Sequence, residues 1–283
     1  MSERLPGLKQ NSRPRQLPWL VLSLLAVSII AAGLLLTAGC DNVLGDCDDA
    51  SEETRDDSFT VGDSSRVVVK TGNGGIVVTA GTGNQVRVEA TLRTPEKLTY
   101  SVTQDGDTIT VEAKPKTGSS WRDCMEANIV VTAPTITDVD LHTSNGALTV
   151  EGINGSGVLE TSNGAMDLFN VKGDFKGRTS NGAIDVRNAV GEVDLQTTNG
   201  RVSFEGELIA GGDNRLVTSN GRVDVELLGE PSISLDASTT NGEINTTLPM
   251  TTSLAEKNHI VGTIGDGEAA LYVRTSNGEV TIR

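Results

Sequence analysis

The chain has 283 residues, enough for one large domain or two small ones, with 36% hydrophobic residues, only 3% aromatics and 32 glycines. That balance argues against a helical bundle and suits many short strands joined by tight turns. The formal net charge of −15 argues against nucleic acid as a partner, which needs a basic surface, and such a surface repels anionic lipid and anionic glycans unless cations screen it.

At the start of the chain Arg4, Lys9, Arg13 and Arg15 precede an uncharged stretch from Gln16 to Gly39 whose centre, Trp19 to Thr37, is almost wholly apolar. A basic start followed by an apolar run is an export signal. The run is also long enough to cross a bilayer as one uncleaved hydrophobic helix with its basic flank in the cytoplasm, since about 20 apolar residues suffice. Both readings make residues 1–39 a signal peptide or membrane anchor and put the remainder on the extracytoplasmic face of the cell membrane. Thr37-Ala38-Gly39-Cys40 resembles the lipobox of bacterial lipoproteins, which implies that Cys40 is lipidated and becomes the mature N-terminus. The motif departs from the usual pattern at Thr37, where lipoboxes carry Leu; here Leu36 stands one place earlier. Without residues 1–39, which hold four basic residues and the single acidic Glu3, the chain is more acidic still.

Residues 40–58 read as an acidic spacer, with Asp41, Asp46, Asp48, Asp49, Glu52, Glu53, Asp56 and Asp57 set against Arg55 and little to bury. Self-repulsion is expected to extend it and to hold the folded part away from the membrane. It lacks an Asp-x-Asp-x-Asp-Gly loop, so no calcium or other metal site is expected there. With Cys40 lipidated, Cys47 and Cys124 remain as a disulfide pair in a compartment where disulfides persist, and closing so long a loop contributes about 4 kcal/mol through the unfolded state. Two free thiols are the alternative.

From Phe59 onward the pattern is strand after strand: Arg66–Lys70, Gly75–Thr79, Gln85–Leu92, Thr108–Ala113 and Asn128–Thr132, each alternating or Val-rich and bounded by turn residues. Lys114–Ala127, with Trp121 and Cys124, breaks the rhythm and reads as a longer loop. Within the domain 59–283, residues 59–142 form a less regular half and residues 143–283 carry regular repeats. Thr-x-Asn-Gly recurs with its asparagines at Asn73, Asn145, Asn163, Asn181, Asn199, Asn220, Asn241 and Asn277, spaced by 72, 18, 18, 18, 21, 21 and 36 residues. The spacings imply a unit of about 18 residues, with 72 and 36 as multiples of it and short insertions at Gly211–Asp213 and near Leu228–Pro231.

Each unit holds two short strands of period two, with inward pairs such as Leu148/Val150, Met166/Leu168, Ile184/Val186, Val202/Phe204 and Val280/Ile282. An antiparallel meander or barrel would use Asn-Gly as hairpin turns. Identical Thr, Asn and Gly at every corner favour an all-β, single-chain β-solenoid, β-helix-like, in which equivalent residues stack about 4.8 Å apart and like-on-like ladders run along the axis. Glycine is then expected to supply a positive φ at each corner. Roughly twelve coils would make a rod on the order of 60 Å long, with the irregular half as one cap and the coil ending at Arg283 left bare.

Chemistry-bearing residues are sparse. His142 occupies an outward slot and His259 an irregular insertion, each without an evident partner, and no motif for a nucleophile elbow, zinc helix or phosphate loop is present. No catalytic residue, metal site or cofactor is therefore assigned. The fourth position after each asparagine stacks Asp167 on Asp185, a pair that can act on a glycoside, share a cation or simply face solvent. Arg201, Arg222 and Glu243 fill the slot directly after Asn-Gly, where salt-bridge ladders with Asp185 and Asp224 or a receptor patch are the options.

The repeated Thr-Ser-Asn-Gly with alternating apolar residues, led into by Ile129-Val130-Val131-Thr132-Ala133-Pro134 and Val139-Asp140-Leu141, resembles the bacterial adhesin-type domains of unknown function related to GIN-type head domains. The resemblance covers residues 59–283 and implies an extracytoplasmic β-solenoid rather than an activity. The function expected is that of a non-enzymatic cell-envelope surface protein, an adhesin-type lipoprotein presenting a repetitive β-face to a protein or glycan. A carbohydrate-active β-helix enzyme and an envelope-stress or scaffold component at the membrane are the alternatives.

Overall fold

The computed structural model describes residue 47, residues 50–121 and residues 124–283. The chain divides into two units, Met1–Val43 and Leu44–Arg283, and the hydrophobic N-terminal helix expected from the sequence lies in the first, outside the described residues. Among its described residues the second unit is all β apart from one 3-10 turn at Pro95–Lys97. Its strands are β1 (Glu52–Thr60), β2 (Ser65–Lys70), β3 (Ile76–Gly81), β4 (Gln85–Arg93), β5 (Leu98–Asp105), β6 (Thr108–Pro115), β7 (Glu126–Pro134), β8 (Thr137–His142), β9 (Leu148–Glu151), β10 (Gly157–Glu160), β11 (Met166–Phe169) and β12 (Phe175–Asn181). There follow β13 (Ile184–Gly191), β14 (Val193–Asn199), β15 (Val202–Leu208), β16 (Asp213–Asn220), β17 (Val223–Leu227), β18 (Ile233–Asn241), β19 (Ile244–Thr246), β20 (Thr251–Glu256), β21 (His259–Ile264), β22 (Ala269–Asn277) and β23 (Val280–Ile282).

Two long mixed sheets hold these strands, one of 11 and one of 12. From β8 to β19 the chain alternates between them, so that one strand of each sheet and the Asn-Gly corner joining them make a rung. Successive rungs pair in parallel, for example Met166 opposite Ile184 and Asp167 opposite Asp185. Period-two alternation sends Leu148, Val150, Met166, Leu168, Ile184, Val186, Val202 and Phe204 inward, all buried. Phe175 and Phe204 are among the largest of the fully buried side chains and fill the space between the sheets.

The rungs do not stack in chain order. Along the axis they run β6–β7, β2–β3, β8–β9, then regularly to β16–β17, then β22–β23, and last β18–β19. The spacings of 72 and 36 residues are therefore not multiples of a coil. Asn73 and Asn145 are direct neighbours, their side chains joined at 2.7 Å, and so are Asn241 and Asn277, joined at 2.8 Å. Nine rungs result in place of about twelve, eight of them with an Asn-Gly corner and the ninth, β6–β7, joined by the loop that carries Trp121, because the intervening segments form antiparallel strands at the ends. The rung ending at Arg283 is not bare. It is enclosed between β16–β17 and β18–β19, beyond which the antiparallel pair β20 and β21 covers β18.

At the other end β1 and β4 extend one sheet and β5 the other, all antiparallel. Strand β1 revises the expected spacer: from Glu52 the acidic segment is a nine-residue strand registered against β4. Its charges suit an edge position, where acidic side chains discourage pairing with other chains. Tyr100, facing inward from β5, keeps its hydroxyl shielded and unpaired, and desolvation followed by the Asp57 charge pushes it up to about 12.

Each Thr-x-Asn-Gly corner beyond the one at Asn73 works through three contacts with the adjoining rung. The asparagine amides form a continuous ladder, each Nδ2 donating to the next Oδ1, as in Asn163 to Asn145 and Asn181 to Asn163, both at 2.8 Å. Threonines point inward and donate to a glycine carbonyl rather than to one another: Thr179 to Gly164 O at 3.0 Å, Thr197 to Gly182 O at 2.9 Å. Of the corner glycines only Gly74 has a positive φ, so conformational freedom is not what the motif needs. The requirement is close approach. A Cβ on Gly182 would stand 1.9 Å from Gly164 O, and one on Gly200 2.0 Å from Gly182 O.

Gly182→Ala is expected to destabilise the domain by about 3 kcal/mol, because its Cβ meets rigid backbone rather than a side chain that can turn away. Asn181→Asp sets a carboxylate against the Asn163 oxygen and should cost about 1 kcal/mol, more than Asn181→Ala. Urea midpoints at unchanged m-value check both; a Gly182→Ala chain as stable as the wild type would refute the close-approach account.

Candidate functional site

On the outer face of the 11-stranded sheet, a shallow groove of about 510 Å³ crosses β11, β13, β15, β17 and β23. It is lined by Asp167, Asp185, Arg187, Arg201, Ser203, Glu205, Arg222, Asp224, Glu226, Thr281 and Arg283. Period two sends these residues outward while their neighbours fill the core, and the parallel register sets them in rows along the axis. Arg201 pairs with Asp185 at 2.8 Å, Arg222 with Asp224 at 2.7 Å and Arg283 with Glu226 at 2.8 Å. The Arg187 guanidinium lies 5.9 Å from the centre of the exposed Phe169 ring.

Asp167 is half-buried at the edge of this array. Burial pushes its carboxyl above the ordinary range, the Asp185 charge adds to the effect, and Arg187 and Arg201 oppose it. The Arg201 guanidinium is held still more firmly protonated by its hydrogen bond to Asp185. Paired guanidinium and carboxylate groups on a rigid sheet present donors and acceptors side by side, an arrangement suited to polar ligands such as hydroxylated or amide-bearing chains.

The sequence singled out Asp167, Asp185, Asp224, Arg201 and Arg222 in this region, and the structure brings them into one groove. Glu243 lies elsewhere: Glu279 on the interleaved rung is next to Arg222, and Glu243 pairs with Lys257 at 2.8 Å. Arg187, Glu205, Glu226 and Arg283 were missed. All stand at the sixth position after a repeat asparagine, a row that the same alternation would have revealed.

The other residues of interest lie apart from the groove. Cys47 and Cys124 are joined as a disulfide with Cα atoms 5.8 Å apart. That bond ties down the loop before β7, where Trp121 packs against Gly72 and the Trp121 and Met125 carbonyls accept from Asn73 Nδ2 at 2.9 and 3.3 Å. The loop thereby closes one end of the asparagine ladder. His142 Nε2 is 2.5 Å from Asp140 and its Nδ1 3.2 Å from Glu160, while His259 is 3.0 Å from Asp236. Both histidines thus have acidic partners that sequence position did not show. Cys40 and the segment 1–39 lie outside the described residues; among those described, no helix is long and apolar enough to cross a membrane.

A family model named Toastrack DUF4097 matches residues 125–283. The chain belongs to that family. The groove lies wholly within the matched Toastrack residues, whereas β1 to β6 precede them. Similar solved structures include a candidate adhesin of Bacteroides fragilis, 11% identical over 82% of this chain and 97% of that one, with a TM-score of 0.38. A candidate cell adhesion protein of Clostridium sporogenes is 10% identical over 81% and 99%, TM-score 0.32, and a candidate lipid-binding protein of Parabacteroides distasonis 10% identical over 82% and 97%, TM-score 0.29. Likeness at that level says nothing of ligand or partner. No curated protein matches the chain.

For this Toastrack chain the raised Asp167 carboxyl makes a signed prediction. A carboxyl whose folded-state pKa exceeds its unfolded value penalises folding fully above the folded pKa and not at all below the unfolded one. Asp167→Asn should therefore stabilise the protein at neutral pH, and the gain should vanish as pH falls through that window. Paired denaturation series of wild type and variant from pH 7 to pH 3 check it; a gain that persists in acid would mean that the burial account is wrong.

Proposed function

We propose that this protein is a non-enzymatic cell-envelope surface protein, carried on the extracytoplasmic face of the membrane by its N-terminal segment, whose β-solenoid presents the charged groove to a protein or glycan ligand. The observation that carries the reading is the groove itself: three arginine–carboxylate pairs and the free Asp167 and Glu205 carboxylates, placed by consecutive rungs of a stack held at fixed spacing. Binding groups on strands of one sheet need little ordering when a ligand arrives, which favours recognition over an open and otherwise shallow surface. The basic and then apolar start of the chain supports export, and membership of the Toastrack family supports the architecture.

A second reading, a carbohydrate-active enzyme, is favoured by one observation: Asp167 and Asp185 are stacked neighbours, and the first is shifted toward its protonated form. Two such carboxyls are the minimum for acid and nucleophile roles on a glycoside.

Arrays of glycans and of envelope and host-surface proteins, probed with the purified protein, separate the readings when run beside an assay for released reducing sugar. The expected result is binding without turnover, weakened about tenfold or more by the double variant Arg201→Ala, Arg222→Ala. Turnover abolished by Asp167→Asn or by Asp185→Asn would establish the enzyme instead, and ligand binding indifferent to every groove substitution would remove the groove from the proposal.

A further inference from the structure

Asn-Gly is the repeated corner of this fold, and it is also the dipeptide in which an asparagine amide is most easily lost, because glycine leaves the following backbone nitrogen open to the side-chain carbonyl. We propose that the ladder shields its own corners from this reaction and that Asn241, its terminal member, is the site at which the chain converts spontaneously to aspartyl and isoaspartyl forms. In the step, the Gly242 backbone nitrogen gives its proton to hydroxide and attacks Cγ of Asn241. A C–N bond forms, the bond from Cγ to Nδ2 breaks, and ammonia leaves with a proton taken from water. One water then opens the five-membered imide at either carbonyl, giving an aspartyl or an isoaspartyl residue.

The reaction needs the asparagine side chain to turn onto the next backbone nitrogen, and within the ladder that movement breaks two hydrogen bonds. Asn145, Asn163, Asn181, Asn199, Asn220 and Asn277 each donate through Nδ2 to one neighbouring rung and accept at Oδ1 from the other, at 2.7 to 2.9 Å. At five corners the attacking nitrogen is engaged too: Gly74, Gly146, Gly182, Gly200 and Gly221 donate to the asparagine carbonyl of the adjoining rung at 2.9 to 3.2 Å, whereas among the described residues the Gly164 and Gly278 N–H groups have no such bond, and at Asn163 and Asn277 the two amide bonds alone hold the side chain.

Asn241 lacks half of this protection. It donates to Asn277 Oδ1 at 2.8 Å, but no rung lies beyond it to donate back, and among the described residues its own Oδ1 and the Gly242 N–H have no partner. Its side chain is exposed. The opposite end differs, since Asn73 is half-buried, accepts from Asn145 and gives its amide to two loop carbonyls. Asn154-Gly155 stands outside the ladder at the other corner, where the Gly155 nitrogen is held by the Lys172 carbonyl at 2.8 Å.

Conversion at Asn241 replaces the donor to Asn277 by a carboxylate, and the isoaspartyl form adds a backbone carbon at the corner between β18 and β19. That rung encloses the interleaved β22–β23, so one chemical change loosens the end that holds the C-terminal rung in place.

The test is a time course of the full chain at mildly alkaline pH, digested and mapped by mass for amide loss and for isoaspartate, run natively and in concentrated urea, with Asn241→Gln in parallel. The expected result is that Asn241 converts about fivefold to tenfold faster than the six doubly bonded asparagines, the margin of one hydrogen bond. That preference should vanish in urea, and the early acidic species should be missing from Asn241→Gln. An interior ladder asparagine or Asn154 converting as fast as Asn241 in the native chain, or a preference that survives in urea, overturns the proposal.

Discussion

The structure depends on how closely one corner backbone can approach the next. At each Thr-x-Asn-Gly corner beyond the one at Asn73, the glycine Cα lies so near the glycine carbonyl of the adjoining rung that any Cβ would overlap it: one built on Gly182 would stand 1.9 Å from Gly164 O. That same carbonyl accepts the hydroxyl of the inward threonine, and the asparagine beside it joins the amide ladder. Threonine, asparagine and glycine are thus three parts of one contact between rungs, which explains why the motif recurs almost unchanged while the strands between vary freely. Hydroxyl and amide hydrogen bonds add modestly one at a time, but here they repeat along the whole stack and fix its register.

With register held at the corners, the strands have only to alternate. Inward positions accept Leu, Val, Ile, Met or Phe as volume requires, and outward positions are free to carry the charges that make the groove. The charged groove therefore adds no burden to the fold: its ion pairs are exposed and stabilise little, and the stack would stand without them. Arginines and carboxylates nonetheless gather on one face of five strands, which makes that face the natural place to look for a ligand.

The two ends solve the edge problem differently. At one, antiparallel strands β1, β4 and β5 extend the sheets, and a disulfide-tied loop closes the ladder under Asn73. At the other the chain passes its terminal position, doubles back through β20 and β21 and inserts its last strands one rung inside. The enclosed rung gains parallel partners on both sides, so the C-terminus is held by pairing on both faces rather than left as a fraying edge.

By itself the sequence determined the all-β class, the inward and outward faces of the regular strands, the identity of the corners and the stacking of Asp167 on Asp185, because period two and a repeated tripeptide are local facts that survive without neighbours. It misassigned the glycine, which serves proximity rather than positive φ, and the threonine, whose partner is a carbonyl; both errors concern what lies across a rung boundary. Arg187, Glu205, Glu226 and Arg283 were readable from the same period but went unnoticed, since their importance appears only when five strands lie side by side. The order of the rungs, the strand made from Glu52–Thr60 and the partners of His142 and His259 were decided by the tertiary structure alone. The physical reason is degeneracy: every Thr-x-Asn-Gly rung offers its neighbour the same hydrogen bonds, so spacing along the chain cannot tell which rung is adjacent, and only the packing of the intervening segments selects one order.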